Sequence, residues 1–170
     1  MKYMIISDIH GGINELNKVI NIFNKESCSK LIILGDLFNY GIDLNKHDII
    51  NRLNLMKDSI IAVSGNCDNN LKDIMFDMPY YNEFTIENKK VFITHGHLYN
   101  KDYFLKSDSD IIITGHTHIP IIEYENEKLF INPGSITKSR SGDNSFAIID
   151  ENIVSIRNLD NTTLYSLNIK

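Results

Sequence analysis

The chain of 170 residues has little of what defines several large classes of protein. Its two cysteines, Cys28 and Cys67, are too few for a disulfide framework, so we expect a reducing compartment. Its first apolar run is very short and ends in acid at Asp8, which fits neither a signal peptide nor a membrane span. The sequence therefore predicts a cytoplasmic protein that does not enter a membrane.

Basic charge is also scarce. The formal net charge is -5 at pH 7 and lysine and arginine form no run, which does not favour a protein that wraps nucleic acid with a basic face. The 42% hydrophobic and 23% charged residues are typical of a soluble globular protein. Because we find no linker, repeat or low-complexity tract, we expect residues 1–170 to form a single domain.

Short apolar runs alternate with helical patterns in the first half of the chain. The runs Tyr3 to Ile6, Leu31 to Leu34 and Ser59 to Val63 predict strands. Apolar residues at helical spacing predict one helix from Ile13 to Lys25 and another between Ile49 and Met56. This alternation is typical of a parallel sheet, in which ligands bind beyond the carboxyl ends of the strands.

The second half of the chain is mostly strands. Two hairpins are predicted, one joining Glu83 to Glu87 with Lys90 to Thr94 and one joining Pro120 to Glu125 with Lys128 to Ile131. The segment Asn69 to Met75 suggests a brief helix. The remaining strands are Asp110 to Thr114, Ser145 to Asp150, Ile153 to Leu159 and Thr163 to Ile169. We predict an α/β fold, a four-layer αββα sandwich of two mixed β-sheets flanked by helices.

Residues that can bind a metal follow five of the predicted strands, each time beside a glycine. The segments are Ser7-Asp8-Ile9-His10-Gly11-Gly12, Gly35-Asp36, Ser64-Gly65-Asn66-Cys67-Asp68, Thr94-His95-Gly96-His97 and Gly115-His116-Thr117-His118. Each segment alone has an ordinary explanation, such as Asp8 capping the following helix. Five recurrences are harder to explain by turn chemistry.

The candidate ligands are nitrogen and oxygen donors that require no thiolate. Such a set suits Mn, Fe, Co, Ni or Zn, and differs from a structural zinc site, which would be richer in cysteine. His116 and His118 stand two residues apart on an irregular turn that ends at Pro120, so their side chains can point to different neighbours. We therefore expect two metal ions.

The order of the motifs D-x-H, G-D, G-N-C-D, H-G-H and G-H-T-H, followed by N-P-G-S, resembles the calcineurin-like metallophosphoesterase superfamily. Within that superfamily, the short chain is similar to the small bacterial phosphodiesterases. The resemblance implies that Asp8, His10, Asp36 and His118 hold the first metal ion. It also implies that Asp36, Asn66, His95 and His116 hold the second ion, so that Asp36 bridges the pair.

The implied activity is that of a dinuclear metal-dependent phosphoesterase, and more narrowly a phosphodiesterase with manganese as its first expected metal. Two divalent ions, two ligand carboxylates and a bridging hydroxide leave a single positive charge, which a small phosphodiester substrate would neutralise. The hydroxide would attack phosphorus in line. Two alternatives stay open: a protein-interaction scaffold, because a eukaryotic retromer subunit resembles this fold, and a phosphomonoesterase or nuclease. The resemblance also allows a homo-oligomer.

Four residues are candidates for work beside the metals: Asn66, Cys67, Asp68 and His97. Many members of the superfamily have histidine, a proton donor to the leaving group, where this chain has Cys67. A thiol matches that task less well, and a packing role is an equal alternative. Asp68 would orient a neighbour or cap a short helix, whereas His97 would contact substrate or a ligand, or be a plain loop residue. The loops Phe38 to Asn45 and Tyr99 to Tyr103 would form the pocket walls, and His47 a surface position.

Overall fold

The computed structural model describes residues 1–40, 44–69, 71–99 and 101–170 and divides their strands between two mixed β-sheets. The elements in chain order are β1 (Tyr3–Ile6), α1 (Ile13–Lys25), β2 (Lys30–Ile33), α2 (Lys46–Asn54), a 3₁₀ helix (Lys57–Ser59), β3 (Ile60–Ala62), β4 (Tyr81–Ile86), β5 (Lys89–Thr94), α3 (Lys101–Lys106), β6 (Ile111–Ile113), β7 (Ile121–Glu125), β8 (Lys128–Asn132), β9 (Ser145–Asp150), β10 (Ile153–Asn158) and β11 (Thr163–Asn168).

The first sheet has the strand order β11-β10-β9-β1-β2-β3. Strands β1, β2 and β3 are parallel and are connected through α1 and α2, as the apolar runs predict. Strands β9, β10 and β11 join antiparallel beside β1. The carboxyl ends of the three parallel strands therefore share one edge of the sheet.

The second sheet has the order β4-β5-β6-β8-β7. Its central strands β5, β6 and β8 are parallel, and each outer strand is the antiparallel hairpin partner of its neighbour. The carboxyl ends of β5 and β6 therefore also lie at one edge. His95, which follows β5, contacts the carbonyl of Leu34 after β2, so this edge lies beside the strand ends of the first sheet.

Side chains on the two faces of β1 show how the layers form. Met4 and Ile6 pack with the apolar faces of α1 and α2, whereas Tyr3 and Ile5 face the second sheet. On the far side of the second sheet, Phe104 of α3 packs with the buried side chains of that face. The predicted four-layer sandwich is confirmed, with a single short helix among the described residues as its fourth layer.

The two predicted hairpins are present, with one difference of register. The second turns at Asn126 and Glu127, as expected. The first turns at Glu87 and Asn88, because Ile86 and Lys89 already pair across the ladder. Both central residues of each turn have positive φ, the conformation that matches a two-residue turn to the twist of its strands.

The predicted helix from Asn69 to Met75 is wrong over residues 71–75, which are irregular apart from a turn at Lys72 and Asp73. The side chain of Asn54 takes the backbone partners that a helix would use. Its amide donates to the carbonyl of Asp73 at 2.8 Å and accepts from the amide of Met75 at 2.9 Å. The side-chain amide thus satisfies this backbone without regular structure.

The predicted loop Tyr99 to Tyr103 is helical from Lys101, because α3 buries Phe104 against Phe92, a long-range contact that local sequence does not reveal. The interpretation of Phe38 to Asn45 as a loop includes residues 41–43, which lie outside the described residues. His47 is exposed on α2, as predicted. No helix in the described ranges is both long and apolar enough to cross a membrane.

Candidate metal centre

The candidate ligands meet at the edge where the parallel strands of both sheets end. Asp8 and His10 follow β1, Asp36 follows β2 and Asn66 follows β3. The ligand-bearing turn of the second sheet lies against β1's end, where the amide of His116 donates to the carboxylate of Asp8 at 3.0 Å. The two sheets thus contribute donors to one site.

Five of the seven candidate ligands have left-handed backbone. The φ angles are 56° at Asp8, 43° at His10, 52° at Asp36, 66° at His116 and 61° at His118. Each such conformation costs about 1–3 kcal/mol for a residue with a side chain, and clusters of them are typical of functional sites. The backbone is held by long-range hydrogen bonds, including one from the amide of Asp8 to Gly35 at 3.1 Å.

One group of donors is formed by Asp8, His10 and His118. Oδ1 of Asp8 lies 3.1 Å from Nε2 of His118 and 3.7 Å from Nε2 of His10. The two imidazole Nε2 atoms are 3.3 Å apart. These three atoms surround a space of the size that a cation fills.

A second group is formed by Asn66, His95 and His116. Nε2 of His95 lies 3.1 Å from Oδ1 of Asn66 and 3.2 Å from Nδ1 of His116. Asp36 stands between the groups, because its Oδ2 is 3.5 Å from Nε2 of His95 and 3.7 Å from Nε2 of His10. The predicted ligands are therefore close together, with Asp36 at the middle.

The donors fit divalent metal ions. Oδ1 of Asp8 is fully buried and has no hydrogen-bond partner among the described residues. Burying an unpaired oxygen costs free energy, and a bound cation would remove that cost. Nδ1 of His95 lies 2.6 Å from the carbonyl of Leu34, and Nδ1 of His118 lies 2.8 Å from the carbonyl of Lys138. When these imidazoles are neutral, donation from Nδ1 to the carbonyls leaves the lone pair of Nε2 facing the site, as in metal-bound histidines.

Electrostatics in the site favour an ionised Asp36. Burial acts to raise the pKa of Asp36, but the hydrogen bond and charge of His95 and the amide of Cys67 outweigh it and lower the pKa to about 2. Burial lowers the pKa of His10, and the positive charge of Lys138 lowers it further. The carboxylate at the centre is thus charged and the imidazole of His10 neutral near neutral pH, as metal ligation requires.

Asn66 lies in the second group, and the neighbouring residue Cys67 is buried beside Asp36. Its amide donates to Oδ1 of Asp36 at 2.8 Å, and its Sγ lies 3.4 Å from Nδ2 of Asn66. Burial, and then the neighbouring Asp36, raise the pKa of the thiol to about 12. Cys67 therefore both touches the site and braces the central carboxylate through its backbone.

Asp68 faces the backbone. Its carboxylate accepts hydrogen bonds from the amides of Asp36 and Leu37, both at 2.7 Å, and from the amide of Gly65 at 2.8 Å. It therefore ties the turn after β2 to the turn after β3. Of the two alternatives for Asp68, orienting a neighbour matches these contacts, since the short helix that it would cap is absent from residues 71–75.

His97 lies beside the second group, with ring centroids 5.3 Å from His95 and 6.2 Å from His116. Its Nδ1 is buried and has no hydrogen-bond partner within the part of the chain that the structure describes. Burial lowers the pKa of this imidazole. The ring is thus near enough to contact a bound substrate or a ligand.

Two cations of the site, Lys138 and Arg140, were not singled out from the sequence. A cleft of about 310 Å³ opens over the donors, and its lining includes these cations as well as Asn39 and Tyr40 of the loop that was predicted to form a pocket wall. The two cations stand at alternate positions shortly after the N-P-G-S motif, which contributed to the sequence-based prediction only through the family resemblance. That spacing is the one signal that could have found them, because isolated surface cations are otherwise common.

The segment with the N-P-G-S motif is also structural support for the first ligand. The Ser135 hydroxyl donates to the carbonyl of Asp8 at 2.8 Å, and the Thr137 hydroxyl donates to the same carbonyl at 3.0 Å. The segment after β8 thus holds the left-handed turn that follows β1.

Residues 1–152 match the family model of the calcineurin-like phosphoesterase superfamily domain. The chain belongs to this superfamily, which confirms the resemblance seen in the motifs. It is 30% identical to phosphodiesterase YfcE of Escherichia coli strain K12, with 96% of this chain and 95% of that protein covered. It is 32% identical to phosphodiesterase MJ0936 of Methanocaldococcus jannaschii, with 88% and 93% covered.

The solved structures agree with this assignment. The structure of E. coli YfcE, described as a phosphoesterase, superposes with a TM-score of 0.90 at 30% identity and full coverage of both chains. A Zn²⁺ complex of Vps29 from Entamoeba histolytica superposes with a TM-score of 0.72 at 23% identity, also over both full chains. The Vps29 likeness shows a shared fold alone.

Proposed function

We propose that this protein is a dinuclear metal-dependent phosphodiesterase. The observation that carries the proposal is the arrangement of two donor groups on either side of Asp36, whose Oδ2 lies 3.7 Å from Nε2 of His10 and 3.5 Å from Nε2 of His95. A single carboxylate between two sets of nitrogen and oxygen donors suits a pair of ions. The relatives named phosphodiesterase support the same reaction.

Asp8, His10, Asp36 and His118 would hold one ion, and Asp36, Asn66, His95 and His116 the other. When bound, such ions supply Lewis-acid activation of water and neutralise the charge of a phosphate. Divalent manganese is the first expectation, and Ni, Fe, Co or Zn also suit this donor set. The cytoplasmic location and a homo-oligomeric state stay predictions.

The residues of the chain prepare this site before any substrate arrives. Donation from Nδ1 of His95 and His118 to backbone carbonyls fixes both ring orientations. Asp68 fixes the turn that carries Asp36 by accepting hydrogen bonds from the amides of Asp36 and Leu37. Because these contacts are internal to the protein, little reorganisation is required during the reaction.

The site has no strong acid among these candidates to protonate the leaving group. The Cys67 thiol, with its pKa raised to about 12, stays protonated but is a far weaker acid than an imidazolium. The pKa of His97, which lies beside His95, is lowered by burial, so this imidazole is largely neutral at neutral pH. The enzyme should therefore prefer substrates whose alcohol or phenol leaves without much help.

The test compares bis(p-nitrophenyl) phosphate with p-nitrophenyl phosphate across Mn, Ni, Co and Zn, after removal of metals by chelation. We expect the diester to have the higher kcat/KM with at least one metal. Asp36→Asn should lower that value by about a hundredfold to a thousandfold. The same variant should lose affinity for Mn²⁺ in calorimetry, a measurement that does not depend on turnover.

Asp58→Asn is the matched control. Asp58 is exposed in the 3₁₀ helix that precedes β3, at the opposite end of that strand from the site, so its variant should behave as wild type. If p-nitrophenyl phosphate had a higher kcat/KM than the diester, the protein would be a phosphomonoesterase rather than a phosphodiesterase. A wild-type protein that binds no Mn²⁺ and hydrolyses neither ester with any of the metals would support the scaffold alternative instead.

A further inference from the structure

Lys138 and Arg140 lie in a segment whose backbone is fixed to the metal centre. The carbonyl of Lys138 accepts from Nδ1 of His118 at 2.8 Å, and the amide of Arg140 donates to the carbonyl of His118 at 3.1 Å. Ser135 joins the start of this segment to the carbonyl of Asp8. The position of both cations relative to the donors is therefore set by hydrogen bonds that also orient a candidate ligand.

Both side chains line the cleft above the donors, but only one of them is held. The ammonium group of Lys138 donates to Oδ1 of Asn39, whose own side-chain amide donates to the carbonyl of His10 at 2.7 Å. The guanidinium of Arg140 is exposed and makes no hydrogen bond or ion pair with any residue in the described ranges. A free guanidinium beside a held ammonium is well suited to receive an anion.

The charge around the cleft exceeds what a simple diester needs. Of the described residues that line the cleft, Asp36 is the single acidic one, and it belongs to the donor set. A diester phosphate carries one negative charge, which the metal centre alone would neutralise. Lys138 and Arg140 add two positive charges that such a phosphate leaves without a partner.

We infer that Lys138 and Arg140 form an anion subsite that selects phosphodiesters carrying a second anionic group, a phosphate or a carboxylate, on one of their two alcohols. This inference rests on the proposed phosphodiesterase function. The second group would bind between the two cations on the His10 and His118 side of the cleft. The other alcohol would then be the leaving group.

The test uses two substrates that release the same phenolate. One is p-nitrophenyl butyl phosphate, and the other is the same diester with a phosphate on the far end of the butyl chain. In wild type the charged diester should have a kcat/KM higher by about tenfold to a hundredfold, mainly through a lower KM, because each hydrogen bond to a charged group contributes about tenfold. Raising the ionic strength should reduce the difference.

The Lys138→Met, Arg140→Met double variant should reduce this ratio to about one. The backbone contacts to His118 do not depend on the side chains, so the metal centre is retained. Lys25→Met removes an equivalent exposed cation at the carboxyl end of α1, remote from the cleft, and should preserve the wild-type ratio. Calorimetry should show butane-1,4-diyl bisphosphate binding more tightly than butyl phosphate to wild type and not to the double variant.

The outcomes separate this inference from the function on which it rests. Turnover of both diesters with equal kcat/KM in wild type, or an unchanged ratio in the double variant, would overturn the subsite and leave the phosphodiesterase intact. No turnover of either diester with any metal would instead remove the proposed function. An equal loss on both substrates in the double variant would mean that Lys138 only ties two loops together through Asn39, and would also overturn the subsite.

Discussion

Two regions of the molecule use the same left-handed backbone, and they differ in what the conformation is for. In the hairpins, Glu87 and Asn88 have φ of 46° and 69°, and Asn126 and Glu127 have φ of 47° and 67°. Each pair closes a two-residue turn whose geometry the strands on both sides require. The side chains themselves have no task in the turn, so other residues could replace them.

In the metal centre the side chains, rather than the strands, require the left-handed backbone. Asp8 and His118 adopt the same backbone conformation, but both are buried and their side chains supply donors 3.1 Å apart. The turn that carries Asp8 is held by hydrogen bonds from another segment, in which the hydroxyls of Ser135 and Thr137 donate to the Asp8 carbonyl. The backbone strain in the hairpins therefore serves only the turns, whereas the strain in the centre positions the donor atoms of the candidate ligands.

The largest expected effect comes from Gly65, where the two turns of the first sheet touch. A Cβ at this position would lie 2.1 Å from Oδ1 of Asp36 and 2.4 Å from its backbone nitrogen, so flexible side-chain movement cannot relieve the clash. We expect Gly65→Ala to lower the free energy of unfolding by about 3 kcal/mol. Urea denaturation measures this loss, and calorimetry should show weaker Mn²⁺ binding.

Gly142→Ala is the matched control for this prediction. Gly142 has φ of 109° but no atom lies within 4 Å of its would-be Cβ, so the cost is backbone strain alone, about 1 kcal/mol. If the two variants lost equal stability, close packing of the turns would not distinguish the metal centre from the other loops, and the comparison would fail.

The sequence predicted the strand ends well because their signals are local. A fully apolar run with a donor and a glycine within a few residues of its end marks each of Asp8, Asp36 and His116, and the order of the motifs supplies the family. What it could not predict depends on distant partners. Helix α3 depends on Phe104 packing against Phe92, and the cleft cation Arg140 depends on a backbone contact to His118.

Acid should destabilise the metal centre of the chelated protein. The folded-state pKa of Asp36 is lowered from its ordinary 3.8 to about 2, so its contribution to stability is present above pH 3.8 and is lost as the pH falls toward 2. The loss should be about 2 kcal/mol. Urea denaturation between pH 5 and 2 measures it.

The Asp36→Asn variant should lack this acid-dependent loss, whereas Asp58→Asn should retain it. This difference between the two variants would show that the loss of stability in acid arises at the buried metal centre. Parallel curves for wild type and Asp36→Asn would contradict the low pKa, and with it the view that the central carboxylate is charged before any metal binds.

The smallest expected effect comes from a pair of glycine substitutions, one in a hairpin and one in the metal centre. This pair tests the comparison most directly, because the same residue is introduced in both regions. Glu127→Gly creates an Asn-Gly turn, the sequence that suits a type I′ hairpin, and should raise the free energy of unfolding by about 0.5–1 kcal/mol. His116→Gly relieves the same backbone conformation at an exposed position and keeps the amide contact to Asp8. Chelated protein should therefore unfold no more easily than wild type, while calorimetry shows Mn²⁺ affinity reduced by more than tenfold. If His116→Gly instead destabilised the chelated protein by more than about 1 kcal/mol, the imidazole would be a structural part of its turn, and the strain at the centre could not be assigned to ligand placement.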